Sequence, residues 1–147
     1  MKKLLALLAL LFAGTLLVTG CSSSPDATPR SAGAASQAAG SVQTVDPQAW
    51  LQASTQTGTT IVDVRTAEEY AAGHVQGAVN INVEGPTFAA DIDKLDKAGT
   101  YAVYCHSGRR SALATEQMAG AGFTSIVNLQ GGIADLQAAG APIVTGS

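Results

Sequence analysis

Cysteine, charge and aromatic side chains are all scarce in this sequence: two cysteines, 13% charged residues and 5% aromatic ones among 147 residues. Two cysteines cannot build a disulfide framework, and if either is spent elsewhere no bridge remains. No repeat and no second low-complexity tract is present, and the length leaves room for one domain of the usual size, about 100 to 150 residues. Net positive charge is missing as well. Setting aside Lys2 and Lys3 of the leader described below, six basic side chains face eleven acidic ones, a net charge near −5. That balance argues against nucleic acid as a partner.

The longest apolar run, Leu4 to Val18, is too short to cross a bilayer comfortably, which takes about 20 apolar residues. Preceded by Lys2 and Lys3, it has the anatomy of an export signal over residues 1–20. The run closes with Val18, Thr19, Gly20 and Cys21, which resembles a bacterial lipobox and makes Cys21 the expected lipid site. The alternative is an ordinary export signal followed by chance by a cysteine. The lipoprotein reading places the chain outside the cytoplasm, held to a bacterial membrane through Cys21, in the periplasm or on the outer face of the cytoplasmic membrane. Residues 22–40 are almost wholly Ser, Ala, Gly, Pro, Gln and Thr, so residues 21–40 read as a lipidated cysteine with a disordered tether. Such a tether would reach roughly 25 Å. The folded domain is expected over residues 41–147.

Strand and helix signals alternate from there. Val42 and Val45 suggest a strand, Asp46 and Pro47 open a helix, and Ile61, Val62 and Val64 form a β-branched run. Thr66 and Glu69 have the spacing of a capping box, with Gly73 ending that helix. Ala78–Val83 reads as a strand, Phe88–Leu95 as a helix, Tyr101–Tyr104 as a strand and Ser111–Ala121 as a helix. Ser125–Leu129 and Ile133–Ala139 close the series as strand and helix. The alternation predicts an α/β fold with a mainly parallel sheet and helices on both faces.

Once Cys21 is lipidated, Cys105 is the one free thiol left, and an unpaired thiol in an exported protein asks for a chemical role. It follows an apolar strand, where α/β sheets carry their reactive groups. His106, Ser107, Gly108, Arg109 and Arg110 then lead into a helix, so backbone N–H groups and the helix dipole form an anion cradle around it. Such a cradle lowers the thiol pKa and holds charge that the reaction creates. The chemistry requires Cys105 ionised and reachable from solvent inside a ring of inward amides. Arg109 and Arg110 add positive charge, and spacing does not decide which of them faces the pocket. Ser111 offers its hydroxyl to the loop or caps the helix.

The segments Ile61–Arg65, Gly73–Val75, Gly77–Ile81, Cys105–Ser111, Gly131–Ile133 and Ala141–Val144 together resemble a single-domain rhodanese, over about residues 42 to 145. The resemblance implies a small five-stranded parallel sheet and a persulfide formed on Cys105, with residues 106–110 cradling the transferred sulfur. The implied activity takes sulfane sulfur from an anionic donor such as thiosulfate and passes it to a thiol or cyanide acceptor, without metal or organic cofactor. Asp63 and Arg65 are supporting residues on this view, the first fixing the surroundings of the site and the second pairing with Glu69. His74 reads as a backbone-bonded buried imidazole, while His106 either shapes donor access or is simply solvated. Leu136 stands where the family often has Trp, and Asn82 where a proline is common. A non-catalytic sulfur carrier or partner-binding module is the alternative. A phosphatase or arsenate reductase is disfavoured, because the loop is one residue shorter than the phosphatase pattern Cys-x5-Arg.

Overall fold

The computed structural model describes residues 41–146; the expected leader, the lipid site at Cys21 and the tether fall outside those residues. The chain enters as strand Ser41–Val45 (β1) and turns into helix Pro47–Ser54 (α1). The Asp46 carboxylate accepts the N–H groups of Gln48 and Ala49 at 2.9 and 3.0 Å, and Pro47 fills the first helical position, which needs no donor. A cap of this kind contributes about 1 kcal/mol. Strand Thr59–Asp63 (β2) leads to helix Ala67–Ala72 (α2), where Thr66 and Glu69 form the expected reciprocal box at 3.2 and 3.3 Å.

There follow His74–Val75 (β3), Val79–Asn80 (β4), helix Phe88–Ile92 (α3), Thr100–Tyr104 (β5), helix Arg109–Gly120 (α4), Ser125–Leu129 (β6), helix Ile133–Ala138 (α5) and Ile143–Val144 (β7). Five strands make one sheet in the order β1-β6-β5-β2-β4, every pair parallel. Parallel neighbours need crossover connections, and the helices supply them. Alternate residues along β5 and just past it explain the layers. Tyr101, Val103 and Cys105 face Phe88 and Ile92 of α3 and Ala114 and Met118 of α4. Ala102 and Tyr104 face Trp50 of α1 and Leu136 of α5. The helices therefore cover both faces, as the alternation of the sequence requires. Trp50 seals the second layer: its indole N–H donates to Val103 O at 3.2 Å and its ring meets Tyr104 edge-on at 5.6 Å.

Three local expectations are corrected. The strand expected over Ala78–Val83 contracts to Val79–Asn80, because Ile81 and Val83 leave the ladder while still donating to Asp63 O and Val64 O. The helix expected over Phe88–Leu95 ends at Ile92, and turn bonds from Lys94 and Leu95 close it. His74 lies in β3 rather than in a turn, and β3 pairs antiparallel with β7, a second small sheet that the sequence does not announce. The imidazole is buried as expected, with Nδ1 2.9 Å from Tyr70 O and the ring stacked on Tyr70 at 3.7 Å.

Candidate active site

The ends of β2 and β5 carry the residues singled out in the sequence. Val64 N–H donates to Tyr104 O at 3.1 Å, so the two strand ends stay joined as the chain leaves the sheet. After Tyr104 the chain passes through Cys105 to Gly108 and enters α4 at Arg109. Gly108 has φ of 90°, a left-handed backbone that favours glycine, and this reversal directs its N–H back to the Cys105 sulfur at 3.1 Å. The loop is clamped from the other side by the turn before α5. Ile133 N–H donates to Cys105 O at 3.0 Å, and Gly132 lies so close that an added Cβ would fall 1.7 Å from His106 O. The turn at Gly131 and Gly132 is thus a wall of the loop, a role its sequence did not disclose.

Burial pushes the Cys105 thiol up, backbone N–H groups of Ser107, Ser111 and Gly108 pull it down, and the net shift is downward. The thiolate also faces the start of α4, a twelve-residue helix whose dipole favours negative charge there. Ser111 is fully buried and its hydroxyl donates to Gly108 O at 3.0 Å. It supports the loop from within the first turn; the cap position belongs to Gly108, so the capping alternative for Ser111 is withdrawn.

Solvent access is a correction. Cys105 is 0% exposed, because it continues the inward alternation of Tyr101 and Val103 and lies beneath its own loop. The Gly108 amide is turned on the sulfur, and none of the sulfur is open to solvent.

The two arginines separate cleanly. Arg110 is 14% exposed and grips Glu69 with two bonds of 2.7 Å, with Glu84 at 3.4 Å. Arg109 is 77% exposed and reaches Glu84 at 3.4 Å. Arg110 therefore braces the loop, and the positive charge expected at the mouth is matched by two carboxylates. Glu69 is held down to about 2, first by the hydrogen bond from Arg110, against burial, and then by the Thr66 N–H. His106 is 67% exposed, with Nδ1 3.9 Å from Glu69.

Arg65 does not take Glu69 as its hydrogen-bonding partner. Its guanidinium grips the fully buried Asp63 carboxylate and donates to Gly73 O at 2.7 Å. Asp63, two residues back at the same strand end, is nearer than the helix-borne Glu69, which Arg110 already occupies. Asn80 donates to Asp63 O and Arg65 O at 3.0 and 2.9 Å, tying β4 to this corner. The Tyr104 hydroxyl accepts Val75 N–H at 3.0 Å and stays protonated, pushed up by burial and then by Asp63. Beside the loop opens a cavity of about 400 Å³ bounded by Arg65, Glu69, His106, Ile133, Gln137 and Ile143. Glu84, Gln137 and Ile143 were not foreseen as site residues. Glu84 and Gln137 come from distant segments with no motif of their own, and Ile143 from the Ala141–Val144 segment, read only as part of the resemblance.

Residues 47–139 match the model of the rhodanese-like domain family. Thiosulfate sulfurtransferase PspE of Escherichia coli is 39% identical over 75 residues, covering 51% of this chain and 71% of that protein. Thiosulfate sulfurtransferase GlpE of Pseudomonas fluorescens is 34% identical over 89 residues, covering 58% and 77%. Among solved structures, the Alr3790 protein from Anabaena sp. aligns with a TM-score of 0.61 at 26% identity, covering 69% of this chain and 92% of that chain. A rhodanese-related protein from Thermoplasma volcanium aligns with a TM-score of 0.61 at 27% identity, covering 69% and 97%.

Proposed function

The chain belongs to the rhodanese-like domain family, and on that premise we propose that it is a sulfurtransferase whose nucleophile is Cys105. The observation that carries the reading is the sulfur of Cys105 accepting the Gly108 amide at 3.1 Å at the start of α4. Donors arranged around a sulfur can stabilise a thiolate, and equally the anionic terminal sulfur of a persulfide. The Cys105 thiolate attacks the outer sulfur of thiosulfate; the S–S bond of the donor breaks and sulfite leaves with its electron pair. An acceptor thiolate or cyanide then attacks the outer sulfur of the Cys105 persulfide, and the Cys105 thiolate is released. No net proton transfer is needed, so Asp63 and Arg65 have no acid–base task and serve as framework.

Because Arg109 and Arg110 are offset by Glu84 and Glu69, the amides and the α4 dipole carry most of the attraction for an anionic donor. The cavity beside His106, with Ile133 and Ile143 in its wall, suits the organic part of a thiol acceptor. Since Cys105 is covered at rest, sulfur transfer on this reading begins with a local opening of residues 106–108. The test is the intact mass of the chain after incubation with thiosulfate. A gain of one sulfur atom, removed by cyanide and absent from Cys105→Ser, is expected. A wild-type chain that gains no sulfur from thiosulfate or from an organic persulfide would contradict the proposal.

The leader over residues 1–20 and Cys21 support a lipid anchor that holds this activity in the cell envelope. Membrane fractionation checks it: wild type should sediment with membranes as a lipid-modified chain lacking the leader, and Cys21→Ala should keep the leader and carry no lipid.

A further inference from the structure

Among the described residues, the two edges of the sheet are protected unequally. On one side β4 has two paired residues, and its Asn80 side chain is turned back onto the backbone of β2 and the residues just past it. On the other, β1 runs five residues, Ser-Val-Gln-Thr-Val, with Ser41 to Thr44 exposed. It has no charge, no proline and no bulge, the usual devices that keep an edge from pairing.

The hydrogen-bond directions along β1 are fixed by its ends. Ser41 N–H donates to Thr124 O at 3.1 Å, and Val45 O accepts Gln130 N–H at 2.8 Å. Residues 41, 43 and 45 therefore turn their peptide groups toward β6, and Val42 and Thr44 turn theirs outward, about 7 Å apart. We propose that this edge is an interface with a second copy of the same chain, the two β1 strands pairing antiparallel about a two-fold axis at Gln43.

That register uses every outward group. Val42 of each copy faces Thr44 of the other as a hydrogen-bonded pair, giving four bonds, and Gln43 faces its symmetry mate as a non-hydrogen-bonded pair. The pattern is self-complementary, as a two-fold contact requires. A one-residue slip would set outward groups against inward ones.

The helices leave room for it. α4 packs over β6 and reaches β1 and β5, while α1 on the other face lies over β6, β5 and β2. In the joined sheet the two β6 strands stand three spacings apart, about 14 Å, more than the 8–10 Å that two packed helices need. The gap already exists as a cavity of about 340 Å³ beside α4, bounded by Val42, Thr44, Ala112, Thr115 and Asn128, and the second copy would extend its floor. Asn128 Oδ1 has no partner among the described residues, which fits an opening that the isolated domain leaves incomplete. The inference does not depend on the sulfur chemistry.

The test uses the full chain with Cys21→Ser and Cys105→Ser, so that an introduced thiol stands alone. Sedimentation should show a concentration-dependent dimer. Gln43→Cys should then form a disulfide across the axis under mild oxidation, since facing residues of a non-hydrogen-bonded pair lie about 4.5 Å apart between Cα atoms, within disulfide reach. Val42→Cys, whose symmetry mate lies diagonally, should link at least about tenfold more slowly. Val42→Pro removes an outward donor without touching the β6 ladder and should raise the dissociation constant about tenfold or more, by loss of two of the four bonds. Introduced into the chain that keeps Cys105, Val42→Pro should leave sulfur uptake unchanged, which shows that the domain is folded. A monomer at high micromolar concentration overturns the proposal. So does a dimer that links equally at 42 and 43, or a monomer whose Val42 and Thr44 amides are already protected from exchange by the chain's own residues 22–40.

Discussion

Two arginine–carboxylate pairs flank Cys105, and they differ in almost everything but chemistry. Asp63 and Arg65 have side chains 0% and 5% exposed, lie two residues apart, and fasten the end of β2 to Gly73. Glu69 and Arg110 are 31% and 14% exposed, lie 41 residues apart, and fasten α2 to the first turn of α4. The buried pair has no water to fall back on, so each partner is indispensable to the other. The pair at the mouth borders solvent and governs how the loop sits and how much charge it shows. The frame of the site and its electrostatic face are thus built from the same kind of bond at different depths.

The sharpest way to break the comparison is to remove one partner of the buried pair. Asp63→Ala leaves Arg65 charged, buried and holding only Gly73 O, and should cost about 3–5 kcal/mol of stability, read as a lowered urea midpoint. Sulfur uptake should fall with it, through displacement of the strand end.

Glu69→Gln should have a smaller and different effect. It weakens the capping box and the grip on Arg110, a loss of about 1 kcal/mol, while freeing positive charge at the mouth and lowering the KM for thiosulfate severalfold. The pH dependence separates the two further. Glu69 is depressed from 4.5 to about 2 in the folded chain, so its contribution is complete above about pH 4.5 and is lost as pH falls toward 2. Acid unfolding of Glu69→Gln should therefore lack that part of the slope between pH 4.5 and 2. Glu84→Gln should have the least effect: its contacts to Arg109 and Arg110 are 3.4 Å and open to water, so stability should move by a few tenths of a kcal/mol and the thiosulfate KM by about twofold or less.

Local signals in the sequence account for most of the frame. Asp46 with Pro47 and Thr66 with Glu69 are caps written in nearby residues, and β5 and β6 are short segments rich in branched and aromatic side chains; all four stand where local chemistry puts them. The pair β3 and β7 has no local signal, since two-residue strands have no period and their partners are 68 and 70 residues distant. Glu84 and the clamp at Gly132 are likewise products of the fold. Arg65 has three acidic neighbours in sequence, Asp63, Glu68 and Glu69, and only the packing shows that Asp63 is its partner and that Arg110 claims Glu69. The covering of Cys105 follows from strand alternation in spite of the polar residues after it: Tyr101, Val103 and Cys105 share one parity, which places the thiol on the inward face.

Backbone amides that make a covered thiol more acidic than an ordinary one are the centre of the proposed chemistry. Its most direct test is the rate of sulfur uptake from thiosulfate by the wild-type chain as a function of pH, followed by intact mass. The amides acting on Cys105 predict a rise with a midpoint below 9, the ordinary value for the thiol. A midpoint at or above 9, the outcome expected if burial alone governed the sulfur, would contradict it.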